Sequence, residues 1–312
     1  MSLNKNLLTI SSFAPEARAL RKHFESRFAN PLTVRPDRFV WDYWNVPDQY
    51  LSLRTPAYEY FPNKLYRQFH ERLVLWGRRT LGCHDVSPPW LSLYINGCHQ
   101  NWHADVPHGP WAFVYSLTPW QSRKFTGGET LMLKPSTLTF WESFEPGTAL
   151  EQNQIMTKVP ARFNQLTVFD PRVPHGVARV DGTMNPLEGR LVIHGWFMNP
   201  RPYIEGPLST TELQKKMKEG WLDQISERVE GHALHGLITL RLRVQASGKV
   251  SNCVPLTCTL KPVGPSDSFY NPFAEPFSIR SLIKQMTAEA LQWQFKKHKS
   301  SSEITLPLLF SP

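Results

Sequence analysis

Two histidines and one aspartate have the residue types and spacing of a metal site. His103 and Asp105 are two positions apart in a stretch whose alternation is typical of a β-strand, and His175 follows far downstream. Successive side chains of a strand point to opposite faces, so this spacing predicts that His103 and Asp105 share a face. Two imidazoles and one carboxylate can hold divalent iron and leave the opposite coordination positions open. The sequence therefore predicts an iron site.

Strand-like runs surround these residues, as expected for a barrel that folds back over itself. We predict strands at 90–94, 112–118, 130–133, 137–141 and 190–197, a connection at 97–102, and a run at 165–170 that leads to His175. In the last strand Arg190 and His194 face the same way. An arginine that begins a buried strand needs an anionic partner, and a carboxylate can pair with it through two hydrogen bonds. For His194, a structural role and a contact with cofactor or substrate both stay open.

The pattern His-x-Asp, a distant His and a following basic residue resembles the iron(II)/2-oxoglutarate-dependent oxygenases. The resemblance covers roughly residues 90–199. Gly127-Gly128-Glu129-Thr130 also looks like the Gly-Gly-Glu turn of prolyl-hydroxylase-like members. One departure is that Arg190 lies further from His175 than is usual in this family, and the extra residues, 181–186, are interpreted as a longer hairpin loop.

The resemblance implies a fold, three cofactors and a reaction. The fold is mainly β with flanking helices, built on a double-stranded β-helix (a jelly roll, cupin-like), and the cofactors are Fe(II), 2-oxoglutarate and O₂. His103, Asp105 and His175 match the metal ligands, and Arg190 matches the residue that pairs with the far carboxylate of 2-oxoglutarate. Tyr94 either offers its hydroxyl to 2-oxoglutarate or fills core space. The implied reaction hydroxylates an unactivated C–H bond and releases succinate and CO₂.

Two other functions are compatible with parts of this pattern. The chain could be a non-catalytic barrel that binds a ligand and acts through its C-terminal domain, and failure to bind iron would favour that. It could also be a cupin-like metal enzyme without 2-oxoglutarate, for which Arg190 would be dispensable. His99 and His108 lie near the predicted site but have no carboxylate two residues away, so they are interpreted as loop residues.

Composition narrows the partners. The net charge of +9 is spread along the chain with no run of more than two basic residues, which argues against nucleic acid binding. Four cysteines without a Cys-x-x-Cys pair, no signal peptide and no long apolar run predict a cytoplasmic protein without membrane contact.

The expected substrate is a small molecule, an amino acid or a peptide. The aromatic run 30–51, either a substrate lip or a plug of the barrel end, and the loop 181–186 are where specificity is expected.

A change of composition after 199–202 predicts two domains, 1–200 and 201–312. We expect flanking helices at 16–28 and 63–80, and beyond the boundary helices at 210–229 and 276–295 with strands at 235–244, 250–258 and 303–310. This order resembles the C-terminal domain of TonB-like proteins, through Gly236, Gly248-Lys249-Val250-Ser251 and Trp293-Gln294-Phe295. The resemblance implies a small α+β domain for packing, homo-oligomerisation or substrate recruitment.

Overall fold

A computed structural model describes residues 6–30, 32–34, 41–105, 108–141, 144–263 and 277–311. The chain divides into two compact units. The large unit consists of Leu7–Leu73 and Val86–Phe197, and the small unit contains Val74–Asp85 and the chain from Met198 onward. The domain boundaries expected from composition, 1–200 and 201–312, stay a prediction.

The strands and helices are, in chain order, β1 (Leu7–Ile10), α1 (Ala17–Phe28), β2 (Asp42–Val46), β3 (Tyr50–Pro56), α2 (Ala57–Tyr60), α3 (Asn63–Leu81), β4 (Cys83–Val86), β5 (Trp90–Tyr94), β6 (His99–His103), β7 (Trp111–Ser116), β8 (Thr130–Leu133), α4 (Pro135–Leu138), α5 (Gln152–Ile155), β9 (Met156–Val159), β10 (Gln165–Phe169), β11 (His175–Val177), β12 (Arg190–Pro200), β13 (Tyr203–Glu205), α6 (Thr210–Lys218), α7 (Trp221–Val229), β14 (Leu234–Val244), β15 (Val250–Cys258), β16 (Lys261–Pro262), α8 (Ile279–Ala290) and β17 (Ser302–Phe310).

The large unit is built on one antiparallel sheet that curls over itself. Its strands follow the order β1-β10-β7-β12-β5-β3-β6-β11-β8-β9, with β2 beside β3. Met132 of β8 shares a buried cluster with Ala112 of β7 and Phe169 of β10, and Val177 of β11 shares another with Val192 of β12. Strands that are distant in the sheet order therefore face each other. This is the double-stranded β-helix, so the predicted fold class is confirmed.

The flanking helices of the large unit form where apolar residues recur at helical spacing. In α1 the buried positions include Leu20 and Phe24, with charged residues between them. In α3 Phe69 and Leu73 are fully buried. Both predicted helices are confirmed.

Two local predictions in the large unit were wrong. The connection expected at 97–102 is largely strand β6, which ends at His103, so Asp105 lies beyond the strand. The strand expected at 137–141 is instead the end of α4 followed by a turn, because Pro135 at the first helical turn favours a helix start. Part of the run 30–51 forms β2 and the start of β3. Much of β2 is exposed, so its sequence lacks the apolar alternation that marks a half-buried strand.

The small unit is α+β, as predicted. Its sheet has the order β13-β17-β14-β15, with β16 beside β14, and its buried core includes Leu213, Trp221 and Met286 from the helices. The single helix expected at 210–229 is two helices, because Gly220 adopts a left-handed conformation (φ 93°) between them. Among the described residues, no helix is long and apolar enough to cross a membrane.

Candidate metal centre

The two predicted histidine ligands are neighbours across two strands. His103 ends β6 and His175 begins β11, and the two residues are paired in the antiparallel register, with ring centroids 4.3 Å apart. Asp105 is held close by a backbone hydrogen bond, in which its N–H donates to the Pro171 carbonyl (2.8 Å). The Asp105 oxygens lie 3.7 Å from His103 Nε2 and 3.5 Å from His175 Nε2. One donor atom from each residue thus falls within 4.8 Å of the others.

Hydrogen bonds fix which nitrogen of each ring can bind a metal. His103 Nδ1 lies 2.8 Å from the Asn101 carbonyl, and His175 Nδ1 lies 2.9 Å from the Val173 carbonyl. A carbonyl accepts only, so each Nδ1 carries the hydrogen and donates it. In the neutral ring the lone pair is then on Nε2, the atom that faces Asp105. This backbone support of ligand rings is the usual arrangement in metal sites.

The charges of His103 and Asp105 suit a cation. Burial, together with the charge of His175, lowers the pKa of His103, which favours the neutral ring. Burial alone would raise the pKa of Asp105, but the hydrogen bond and charge of His175, with smaller contributions from His103 and Trp196, hold it below its usual value. Neutral imidazoles and an ionised carboxylate are the protonation states that metal binding requires.

Two further side chains touch this cluster and were not predicted to do so. Trp196 donates its indole N–H to Asp105 Oδ2 (3.1 Å). The Gln100 side-chain nitrogen lies 3.1 Å from His103 Nε2. For Trp196 the sequence does indicate a position in the site, because strand alternation places it on the same face as Arg190. For Gln100 the sequence contains no such indication of contact with His103, because residues 97–102 are predicted to be a connection and not a strand.

Arg190 is a buried cation with unused hydrogen-bond donors. Its residue is 1 % exposed, and its Nη2 donates to Thr130 Oγ1 (3.3 Å). Among the described residues, its Nε and Nη1 have no hydrogen-bond partner and are sealed from solvent. Burial lowers its pKa, and attraction to Tyr94 and Glu129 offsets this only in part. A buried guanidinium with open donors fits a carboxylate that binds through two hydrogen bonds.

The other two predicted cofactor contacts, Tyr94 and His194, flank Arg190. Tyr94 is paired in register with Arg190, and the guanidinium carbon lies 4.7 Å from its ring centroid. Burial raises the pKa of Tyr94, so its hydroxyl stays protonated. His194 lies further along the same strand as Arg190, and its Nε2 is 2.8 Å from Ser92 Oγ. Burial, helped by Arg190, lowers the pKa of His194 to about 4, so it is neutral at physiological pH.

His99 and His108 lie outside the three-residue donor cluster. His99 Nδ1 hydrogen-bonds to the Gly97 carbonyl (2.9 Å), and the His108 ring lies against Trp196 with centroids 4.6 Å apart. His108 thus supports the ring that hydrogen-bonds to Asp105.

The Gly-Gly turn before β8 makes room for Arg190. Gly127 and Gly128 both have positive φ (73° and 77°), a conformation that other residues rarely adopt. A Cβ on Gly127 would lie 1.8 Å from the Arg179 carbonyl oxygen, and one on Gly128 would lie 3.3 Å from Arg190 Cδ. Both positions therefore require glycine, and the second adjoins the arginine side chain directly.

These observations fit an iron ion with 2-oxoglutarate. Three converging N and O donors suit Fe(II), and the orphaned Arg190 donors suit the far carboxylate of the cosubstrate. Residues 89–198 match the family model of the 2OG-Fe(II) oxygenase superfamily. No curated protein matches the chain.

Several solved structures are similar to this chain at low identity. A Pseudomonas putida prolyl-4-hydroxylase is 18 % identical with a TM-score of 0.43, over 62 % of this chain and 92 % of that one. The viral collagen prolyl hydroxylase of Paramecium bursaria Chlorella virus-1, solved with 2-oxoglutarate, is 14 % identical (TM-score 0.39; 62 % and 95 %). HygX from Streptomyces hygroscopicus, solved with nickel and 2-oxoglutarate, is 13 % identical (0.39; 61 % and 81 %).

Residues 89–198 are therefore similar in sequence to the 2OG-Fe(II) oxygenase superfamily, and the three donors His103, Asp105 and His175 fit an Fe(II) ion.

Proposed function

We propose that this chain is a 2-oxoglutarate-dependent hydroxylase that oxidises a C–H bond of a small molecule, amino acid or peptide. The observation that carries the proposal is the placement of two complementary groups inside one barrel. The three-donor cluster offers sites for a divalent cation, and the buried Arg190 offers unpaired N–H groups for an anion. A cosubstrate with a chelating end and a carboxylate end matches this pair.

Each of the predicted residues has a distinct part in the proposed mechanism. His103, Asp105 and His175 would hold Fe(II) through two imidazole nitrogens and one carboxylate oxygen. When bound, the iron with 2-oxoglutarate and O₂ supplies the oxidation, in which one oxygen atom enters succinate, CO₂ leaves, and the other oxygen converts C–H to C–OH. Arg190, with its Nη2 anchored on Thr130, would orient the cosubstrate by its far carboxylate.

Polar side chains around Arg190 would complete the cosubstrate site. Tyr94 keeps its proton because its pKa is raised, so its hydroxyl can donate to the same carboxylate. His194 stays neutral and bonded to Ser92, so it adds no charge beside the guanidinium. We therefore assign Tyr94 a donor role and His194 a supporting role in the wall of the site.

The decisive experiment is spectroscopic and anaerobic. The purified chain is mixed with Fe(II) and 2-oxoglutarate, and the visible metal-to-ligand charge-transfer band is recorded for wild type, His175→Ala and Arg190→Ala. We expect a band in wild type, its loss in His175→Ala, and a much higher 2-oxoglutarate requirement in Arg190→Ala. Succinate release in air with candidate substrates then measures turnover.

The outcomes separate the alternatives. A folded wild type that binds no iron would replace the oxygenase proposal with a non-catalytic barrel that acts through the small unit. Iron binding that is indifferent to 2-oxoglutarate and to Arg190 would instead favour a cupin-like metal enzyme that uses another cosubstrate.

For the small unit we propose a supporting role in packing, homo-oligomerisation or substrate recruitment, in keeping with its resemblance to TonB C-terminal domains. Among the described residues, its sheet and helices share one buried core, which suits a module with a task of its own. Sedimentation of wild type measures the oligomeric state, and a monomer at all concentrations would remove homo-oligomerisation from this proposal.

A further inference from the structure

A second arginine, Arg54, lies on the same face of the sheet as the proposed cosubstrate site. Arg54 of β3 is paired in register with Ser92 of β5, and Ser92 is paired with Val192 of β12. Cross-strand partners project to the same face, and every second residue of a strand shares it. Arg54 and Arg190 therefore both project into the barrel, the first from β3 and the second from β12.

Two tryptophans, Trp44 of β2 and Trp90 of β5, contact the Arg54 side chain. The guanidinium carbon lies 4.0 Å from the ring centroid of Trp44 and 4.3 Å from that of Trp90. Such stacking is a common use of arginine, and it holds the planar group in one orientation. The N–H donors of the guanidinium remain the groups that can bind another molecule.

Those donors are not used by the described part of the chain. No hydrogen bond or ion pair of the Arg54 side chain is found among the described residues, and its Nε is sealed from solvent without a partner. Burial lowers the pKa of Arg54, and the attraction of Asp42, its register partner on β2, does not outweigh this effect. A partly buried cation without a counter-ion is costly, so an anionic ligand would stabilise it.

An aromatic wall connects Arg54 to the metal centre. The Tyr50 ring stacks on Trp44 (centroids 4.7 Å, interplanar angle 8°) and meets the His103 ring edge-on (5.5 Å). Trp44, Tyr50 and Trp90 are all partly exposed. A ligand held at Arg54 would therefore run along accessible rings toward the residue that is the first proposed iron ligand.

We propose that Arg54, clamped between Trp44 and Trp90, binds a carboxylate of the substrate. Resting on the proposed oxygenase function, this makes the substrate class an organic acid, with its carboxylate at Arg54 and its reacting carbon near His103. A carboxylate fits because it is planar and can accept two parallel hydrogen bonds from the guanidinium edge. Arg54 is thus a substrate-positioning residue, separate from Arg190, which serves the cosubstrate.

The test compares acids with their amides as binding probes. The probes are N-acetyl amino acids, simple aromatic and aliphatic acids and short peptides, each with a free carboxylate and as the matching primary amide. Binding is followed by tryptophan fluorescence, because Trp44 and Trp90 contact Arg54, and by thermal shift, with and without metal and 2-oxoglutarate. We expect some acids to bind about tenfold or more tightly than their amides. Small acids and peptide C-termini are scored separately, which distinguishes the two sources of carboxylate.

Variants assign that preference to Arg54. Arg54→Gln should abolish the preference for acids. Arg54→Lys should keep part of it, because lysine retains the positive charge but lacks the two parallel N–H donors of the guanidinium. Arg123→Gln is the matched control, because Arg123 also stacks on a tryptophan (4.2 Å from Trp120) but donates to that residue's carbonyl. It should retain the full preference. In all three variants the 2-oxoglutarate titration of the charge-transfer band should match wild type.

Three results would overturn the proposal. The first is that no acid binds more tightly than its amide, and the second is that the preference for acids survives both substitutions of Arg54. The third is a loss of 2-oxoglutarate binding in Arg54→Gln, because this arginine would then bind the cosubstrate and not the substrate. Failure of the oxygenase function itself is recognised separately, by the absence of the band in wild type, because acid binding is also measured without metal.

Discussion

His103 and His175 are paired in register across β6 and β11, with ring centroids 4.3 Å apart. Paired residues of antiparallel strands project to the same face, so the register itself brings the two rings together. A slip of one residue would turn the whole face over. Gly176 allows the close approach of the strands, since a Cβ there would lie 2.6 Å from the Gln100 carbonyl oxygen. The geometry of the centre thus depends on strand pairing.

Loss of the indole N–H of Trp196 should weaken metal binding. Trp196→Phe removes the donor to Asp105 Oδ2 (3.1 Å) and keeps most of the ring, so we expect Fe(II) affinity to fall by about tenfold, within the range typical of such supporting contacts. Anaerobic metal titration measures the effect. The control is Trp111→Phe, which removes an indole N–H that has no partner among the described residues. Equal affinities in Trp196→Phe and wild type would contradict the prediction.

Arg190→Met should not destabilise the cofactor-free protein, although Arg190 is almost completely buried. The substitution removes a buried charge without an ionic partner, so the free energy of unfolding should stay level or rise by about 1 kcal/mol. In wild type, 2-oxoglutarate with Mn(II) should raise the melting temperature, whereas in Arg190→Met this gain should largely disappear.

The matched control for that prediction is Arg21→Met. Arg21 is also buried but is paired, with its Nε donating to Glu25 Oε1 (2.8 Å) and its Nη1 to the Leu117 carbonyl (3.4 Å). Its loss should cost roughly 2 kcal/mol or more. A large destabilisation by Arg190→Met in the absence of cosubstrate would show that the arginine is already neutralised.

Gly128→Ala should weaken 2-oxoglutarate binding more than metal binding. The new methyl group would lie 2.9 Å from Phe125 Cε2 and 3.3 Å from Arg190 Cδ, and so displace the arginine. We expect the cosubstrate concentration at half-maximal charge-transfer absorbance to rise about tenfold. Gly147→Ala is the control, because Gly147 also has positive φ (91°) but has open space around it. If both variants bind 2-oxoglutarate alike, contact with Arg190 is not the cause.

Protonation of His194 should make stability depend on pH in the acid range. Its pKa is lowered from 6.5 to about 4 in the folded chain, so between these values the unfolded chain binds the proton and the folded chain does not. Stability therefore rises with pH across this window, and is lost as the pH falls from 6.5 toward 4. His194→Gln should flatten this part of the curve of melting temperature against pH. An unchanged slope would mean that other groups govern it.

Much of the secondary structure of the large unit could be predicted, because it follows from the alternation of residues within each strand. Strand β12 alternates along the chain, so its period alone assigns Arg190 and His194 to one face, and strands β5 and β8 were predicted at their observed bounds. Strand β2 was missed because its exposed residues carry no apolar period. The segment after β8 was misassigned because apolar residues in a short run do not distinguish a strand from one helical turn.

The sequence by itself determined the residue types, their order along the chain and the face of each strand, because these follow from a period of two. Only the tertiary structure decided which residues meet. Asp105 lies beyond the end of β6 and is held by the Pro171 carbonyl. Trp196 reaches Asp105 from β12, and Arg54 lies between tryptophans of two other strands. Such contacts depend on register and on the curl of the sheet, which are set by the packing of the whole core and not by any local pattern.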